Sequence, residues 1–198
     1  MQWRVVAGLA LTLVVATVQA GPSPQGRWQT IDDETGKAKS VVELQVSGEG
    51  QLSGRVVDDA HMLDPATRQQ LAQKLEAHEK ATGEQVVVVT VADLQGTPIE
   101  DFGYQLGRAW GIGQKDKNNG ALLIVARDDR KLRIEVGYGL EGRLTDAQSS
   151  VIINQIITPT FKAGNFSQGI SDGVAAILQV LGGYPVPDPA YASEQGDG

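Results

Sequence analysis

One stretch of sequence decides the fold of this chain: Val86-Val87-Val88-Val89-Thr90-Val91. Its residues are β-branched without any apolar-polar alternation, which is typical of a strand that is buried on both faces. A second run of this kind is Ala121-Leu122-Leu123-Ile124-Val125-Ala126. A sheet buried on both faces needs helices above and below it. The two runs therefore predict an α/β fold, a three-layer α/β/α sandwich with a small mixed sheet of about four strands.

Signals for helices surround the two buried strands. Asp64-Pro65 combines an N-cap residue with a proline at N1, and Gly83 follows as a stop, which predicts a helix over 65–82. An apolar stripe predicts a last helix over 166–181. Thr97-Pro98-Ile99-Glu100 is interpreted as a capping box that begins a further helix.

A third helix is predicted from a second capping box, Thr145-Asp146-Ala147-Gln148, to Pro159. A crossover helix makes strands 86–91 and 121–126 parallel. The alternating strand 131–137 should return antiparallel to the second of them. Loops 113–120 and 137–146 are therefore expected to meet at one edge of the sheet.

The two ends of the chain differ from its middle. Residues 1–20 combine one basic residue, about 14 apolar residues and Val18-Gln19-Ala20 before Gly21, which predicts a cleaved signal peptide. An uncleaved anchor is the alternative. The segment 21–54 is interpreted as a short β-rich or poorly ordered N-terminal segment. The tail 183–198, rich in proline and polar residues, is expected to be disordered.

Composition limits the compartment and the partners. A signal peptide predicts a periplasmic or secreted protein, and no second long apolar run suggests a membrane span after cleavage. The 198 residues carry a formal net charge of −7 and no cysteine. This charge argues against nucleic-acid binding, which needs basic patches, and the lack of cysteine excludes disulfides and thiolate chemistry.

Oxygen-bearing side chains in the predicted loops are candidate ligands for a hard cation, Ca²⁺ or Mg²⁺. They are Asp58, Asp59, Asp116, Asn119, Glu141 and Asp146. The same residue types are ordinary turn formers, which is the alternative interpretation. The two aspartates at 58 and 59 precede a helix that starts at the other edge of the sheet. They join the other four only if the chain crosses back.

Residues 137–142 spell Gly-Tyr-Gly-Leu-Glu-Gly, the spacing of a dinucleotide fingerprint. That fingerprint requires a parallel βαβ unit, whereas the preceding strand is predicted to be antiparallel and only helices follow. A tight turn with glycines at positive φ is the favoured interpretation. Tyr138 and Glu141 are then expected to face the shared edge, and Leu140 to pack beneath it. Alternatively, the stretch is only a turn, and Glu141 caps backbone groups or pairs with Arg143.

Several stretches together resemble the TPM-domain family. They are Val56-Val57-Asp58-Asp59-Ala60 with Leu63-Asp64-Pro65, Gly111-Ile112-Gly113 through Asn119-Gly120, Ile134 through Asp146, and Pro159 to Gly173. The likeness covers about 55–182. The resemblance implies an exported α/β/α domain. Some members are similar to acid phosphatases, some bind divalent cations at acidic loops, and others serve membrane-complex repair or receptor assembly. Residues 26–54 separately resemble the opening of a family of small secreted β-barrel proteins.

Two functions follow as expectations. The first is an exported protein-interaction module in envelope maintenance, with an unidentified protein partner and a divalent cation at its acidic loops. The alternative is a metal-assisted acid phosphatase acting on phosphomonoesters. A phosphatase needs positive groups that face the phosphate, and Arg143 and Arg133 are the only candidates near the shared edge.

Overall fold

A computed structural model describes residues 26–31, 38–44 and 55–188 of the chain. The predicted signal peptide and residues 189–198 of the predicted tail lie outside the described residues. Of the segment 21–54, the structure describes two strands, β1 (Gly26–Ile31) and β2 (Ala38–Leu44), which pair antiparallel in a sheet of their own. Within the described ranges, no helix is long and apolar enough to cross a membrane.

The main sheet has four strands in the order β3-β4-β5-β6. Their bounds are β3 Val56–Asp58, β4 Gln85–Val91, β5 Gly120–Ala126 and β6 Lys131–Val136. β3, β4 and β5 are parallel, and β6 is antiparallel to β5. The predicted small mixed sheet of about four strands is therefore confirmed, and β4 lies in its interior.

Helices cover both faces of this sheet. α2 (Ile99–Trp110) packs on one face, and α1 (Pro65–Thr82) and α5 (Phe166–Leu181) pack on the other. Successive side chains of β4 point to opposite faces, so Val88 enters the core beneath α1 and α5 while Val89 enters the core beneath α2. Two separate cores explain why this strand lacks alternation, and they confirm the three-layer architecture.

Two of the three N-caps predicted from the sequence are confirmed. The Asp64 carboxylate accepts the Thr67 amide at 2.8 Å to begin α1, and Gly83 at φ 77° ends it. Thr145 Oγ1 likewise accepts the Gln148 amide to begin the third helix. The capping box at Thr97 is wrong in position, because α2 begins at Ile99 with Pro98 as its N-cap and no side-chain cap.

The third helix does not end at Pro159, contrary to the sequence prediction. It runs as α3 (Asp146–Val151), a π-helical turn (Ile152–Ile157) and α4 (Thr158–Lys162). The Thr158 amide bonds to the Ile153 carbonyl, five residues back. This wider turn lies just before the proline, which has no amide hydrogen to donate and whose ring would crowd the carbonyl four residues back in an α-helix.

Candidate functional site

Two loops meet at the edge of the sheet where β5 begins, called here the N-terminal edge. They are the loop that leads from α2 into β5 and the glycine loop 137–145 after β6. The Gly137 amide donates to the Gly120 carbonyl at 2.7 Å, and the Gly139 amide donates to the Asn118 carbonyl at 3.1 Å. The predicted convergence of these two loops is confirmed.

Close approach of two backbones explains the first two glycines of the glycine loop. A Cβ on Gly137 would lie 2.2 Å from the Asn118 carbonyl oxygen, and one on Gly139 would lie 2.0 Å from the Lys117 carbonyl oxygen. Neither glycine has a positive φ, so the expectation of left-handed backbone is wrong. Gly142 has open space around its Cβ position. The loop is a packed turn and does not have the setting of a dinucleotide fingerprint, since β6 is antiparallel to β5.

Glu84 anchors the far end of the glycine loop. This carboxylate is only 8% exposed, and it accepts a hydrogen bond from the Arg143 guanidinium. Arg143 also donates to the Leu181 carbonyl at the end of α5, and the His78 Nε2 atom lies 3.0 Å from the Glu84 carboxylate. Arg143 therefore pairs with Glu84 rather than with Glu141, and its side chain is already engaged in holding the loop.

Asn119 is a structural residue of the same edge. Its side-chain oxygen accepts the Gln114 amide at 2.7 Å, and its side-chain nitrogen donates to the Gly83 carbonyl at 2.9 Å. The residue is buried. Its amide thus joins the end of α1 to the loop before β5, which occupies the oxygen that was predicted to face a cation.

Asp58 and Asp59 lie at the opposite edge of the sheet. Asp58 is level with Thr90, whereas Gln85 is level with Gly120, so the two edges are about 17 Å apart at 3.3–3.4 Å per residue. The Asp58 carboxylate accepts the Met62 amide at 2.9 Å and the Thr90 hydroxyl at 2.5 Å. The Asp59 amide donates to the Thr90 carbonyl. The chain does not cross back here, because these bonds hold it at the end of β3.

The six predicted ligands therefore fall into two groups. Asp116, Glu141 and Asp146 are exposed at or near the N-terminal edge, and Asp146 stands in the first turn of α3, where a carboxylate favours the helix dipole. Among the residues that the structure describes, no three histidine, aspartate or glutamate side chains are placed to hold a metal ion. The placement does not fit a cation site made of all six residues, and binding of Ca²⁺ or Mg²⁺ stays a prediction.

A groove of about 760 Å³ lies beside the converging loops, between α2, the loop before β5 and the end of β6. Tyr104 and Tyr138 line it and are 55% and 81% exposed. The Arg108 guanidinium lies 5.4 Å from the centroid of the Tyr104 ring and donates to its hydroxyl at 2.7 Å. Lys115 also lines the groove. Aromatic rings beside cationic side chains suit the recognition of a ligand with apolar and anionic groups.

A second groove, of about 830 Å³, runs along α1 beside β3 and includes Asp58 and His61. The exposed large hydrophobic side chains of the described residues are Tyr104, Tyr138, Phe166 and Tyr184. None of these four lines the second groove. Its Asp58 is held by internal hydrogen bonds. The groove beside the glycine loop is therefore the better candidate site, although it is slightly smaller.

Comparison with known proteins identifies the family. The family model for the TPM domain matches residues 56–180, which is more than half of the chain. The chain belongs to the TPM-domain family. The match begins at β3 and runs almost to the end of α5, so it covers both cores and both converging loops. A search of curated proteins finds no match.

Solved structures similar to this TPM domain include the N-terminal domain of a protein from P. gingivalis. It is 41% identical, with a TM-score of 0.61, over 65% of this chain and 82% of that chain. BA42 from Bizionia argentinensis is 22% identical over 64% of this chain and 87% of that one, with a TM-score of 0.53. The N-terminal domain of cg2496 from Corynebacterium glutamicum is 13% identical over 79% of this chain and 93% of that chain, with a TM-score of 0.51. The latter two show the fold alone.

Sequence reasoning found only part of the groove in this TPM domain. The exposure of Tyr138 and the burial of Leu140 agree with the prediction for the glycine loop. Tyr104 and Arg108 were missed. They stand four residues apart on α2, off the buried stripe that contains Phe102 and Leu106. An aromatic residue on the polar side of an amphipathic helix was the available signal.

Proposed function

We propose that this TPM domain is an exported protein-interaction module that acts in envelope maintenance, and that the groove beside the glycine loop binds its partner. The observation that carries the proposal is the pairing of two exposed tyrosines with a cation. Tyr104 and Tyr138 are two of the four exposed large hydrophobic side chains of the described residues, and both line the groove with Arg108. Tyrosine and arginine are the residue types that most often dominate binding energy at protein interfaces.

Charge indicates the kind of partner. The cations Arg108 and Lys115 line the groove, and Glu135, the one carboxylate among its described lining residues, already pairs with Arg133. The groove is thus locally basic on a chain whose net charge is −7. The Debye length at physiological salt is about 8 Å, so these local charges outweigh distant ones. We therefore propose that the ligand is an acidic segment of a partner protein.

Binding isotherms with a purified partner test the proposal. The partner is first identified in envelope extracts through a photo-crosslinking side chain at position 138 and is then purified. Tyr138→Ala and Arg108→Ala are each expected to weaken binding about tenfold or more, which corresponds to about 1.4 kcal/mol. Tyr184→Ala is the matched control, because Tyr184 is 72% exposed but does not line the groove. Equal affinities for all four proteins would contradict the proposal.

The alternative is a metal-assisted acid phosphatase. Phosphoryl transfer requires positive groups aimed at the phosphate and a bound cation or an equivalent electrophile. Both arginines predicted for this task are engaged, Arg143 with Glu84 and Arg133 with Glu135. We expect the purified protein not to hydrolyse p-nitrophenyl phosphate, with or without Mg²⁺ or Ca²⁺. Any turnover that does appear should be unchanged in Asp59→Ala, as expected for a contaminant. Turnover that copurifies with the protein and falls in this variant would favour the enzyme.

Cation binding by the acidic loops is a separate part of the proposal. The exposed Glu141 of the glycine loop is its clearest candidate ligand at the N-terminal edge. Calorimetric titration with Ca²⁺ should give a saturable isotherm that Glu141→Ala weakens. An isotherm unchanged in Glu141→Ala, or no saturable heat for the wild type, would contradict it.

A further inference from the structure

β6 is an edge strand with one side open. It pairs with β5, and no other strand among the described residues pairs with it. The Gly137 amide bonds to Gly120 of β5, and antiparallel residues alternate between facing the partner and facing away. The backbone amides and carbonyls of residues 131, 133 and 135 therefore point toward β5. The backbone amides and carbonyls of Leu132, Ile134 and Val136 point outward.

This open edge leads directly into the groove beside the glycine loop. The groove is lined by the last two residues of β6, Glu135 and Val136, and by Tyr138 just after the strand. The hairpin turn at the other end of β6 carries the exposed carboxylates Asp128 and Asp129 and the exposed cations Arg127, Arg130 and Lys131. Arg127 pairs with Asp128, and Asp129 accepts the Leu94 amide, so Arg130 and Lys131 leave a small excess of positive charge there. A chain segment laid along β6 would therefore meet Arg130 and Lys131 at one end, and Arg108, Lys115 and an aromatic ring in the groove at the other.

We propose that the outer edge of β6 accepts an extended, acidic segment of the partner protein as an additional strand. The inference rests on the proposed function and names how the partner is held. The outward backbone groups of β6 would supply the main-chain hydrogen bonds, and the groove would receive alternate side chains of the segment. The opposite edge strand, β3, spans only three residues, whereas β6 spans six, which favours β6.

Three synthetic peptides of eight residues test the mode of binding. The first alternates glutamate and threonine. The second has the same sequence with every backbone amide methylated, and the third carries lysine in place of glutamate. Fluorescence anisotropy should show that the first peptide binds, with the methylated peptide at least tenfold weaker and the lysine peptide without saturable binding. Amide shifts of Leu132, Ile134 and Val136 should move in NMR spectra on addition of the first peptide.

Two variants of one residue test the same point from the protein side. Val136→Pro removes one outward amide but leaves the bonds to β5, and proline is tolerated on edge strands. Val136→Ala is the matched control for the lost side chain. We expect Val136→Pro to bind the first peptide at least tenfold more weakly than Val136→Ala, which measures the effect of losing the groove-lining side chain alone. If Val136→Pro does not fold, the methylated peptide decides the question.

The outcomes separate this inference from the proposed function. Equal affinity for the plain and the methylated peptide would overturn strand addition, while the effects of Tyr138→Ala and Arg108→Ala on the purified partner would still support the module. No binding of the glutamate peptide at about 1 mM would also overturn strand addition. If those two groove variants leave partner binding unchanged while the glutamate peptide binds at β6, the groove proposal fails and the open edge alone is supported.

Discussion

Replacing Gly139 with alanine tests whether the glycine loop is set by backbone contact. The new Cβ would be built 2.0 Å from the Lys117 carbonyl oxygen, well inside van der Waals contact. The obstacle is backbone, which cannot swing aside as a side chain would. The loop before β5 or the glycine loop must therefore move, and the bond from the Gly139 amide to the Asn118 carbonyl is weakened.

The expected cost follows from these two effects. Overpacking typically costs about 1–3 kcal/mol, and a lost backbone hydrogen bond adds about 1 kcal/mol. We expect Gly139→Ala to lower the free energy of unfolding by about 2–4 kcal/mol. At about 4 °C per kcal/mol for a domain of this size, the melting temperature should fall by about 8–16 °C.

Gly142→Ala is the matched control within the same loop. Gly142 has open space at its Cβ position and no positive φ. Gly142→Ala should therefore lower the free energy of unfolding by less than about 0.5 kcal/mol, or raise it by up to about 1 kcal/mol. Urea unfolding and thermal melting of the wild type and both variants give the comparison. Equal stability of the two variants would refute the close-contact explanation, because spacing alone treats both glycines alike.

Three further predictions concern the contacts that hold the edges of the sheet. Hydrogen bonds from Ser167 and then Thr67 lower the pKa of Asp64 from its ordinary value near 3.8 to about 2. The stabilisation from the ionised Asp64 is therefore complete above pH 3.8 and is lost as the pH falls through 2. Between pH 5 and pH 2, the melting temperature of Asp64→Asn should fall less steeply than that of the wild type. Arg143→Ala leaves the Glu84 carboxylate with only His78 and should cost about 2–3 kcal/mol in urea unfolding, while a cost near zero would show that the pair contributes little. Asn119→Ala removes two hydrogen bonds and should cost about 2–3 kcal/mol, and unchanged hydrogen exchange at Gln114 would contradict the bridging role.

The fold was predictable because its signals are local. The valines of β4 and the apolar run of β5 carry both buried faces in consecutive residues, which predicts a covered sheet without any long-range information. Asp64 and Gly83 mark the two ends of α1 because capping acts within one turn. The convergence of the loops at the N-terminal edge also follows, since strand direction and a short hairpin determine where each loop emerges.

The candidate site depended on contacts between residues that are distant along the chain. Asp58 is held at the far edge by Thr90, so acidic residues that the sequence groups by type are separated by the length of the sheet. The need for glycine at 139 comes from a carbonyl oxygen of Lys117, and no local pattern encodes that distance. Tyr104 meets Tyr138 in one groove only because α2 packs beside β6. Spacing along the sequence determines which face or edge a residue occupies, whereas packing of the layers determines which residues meet there.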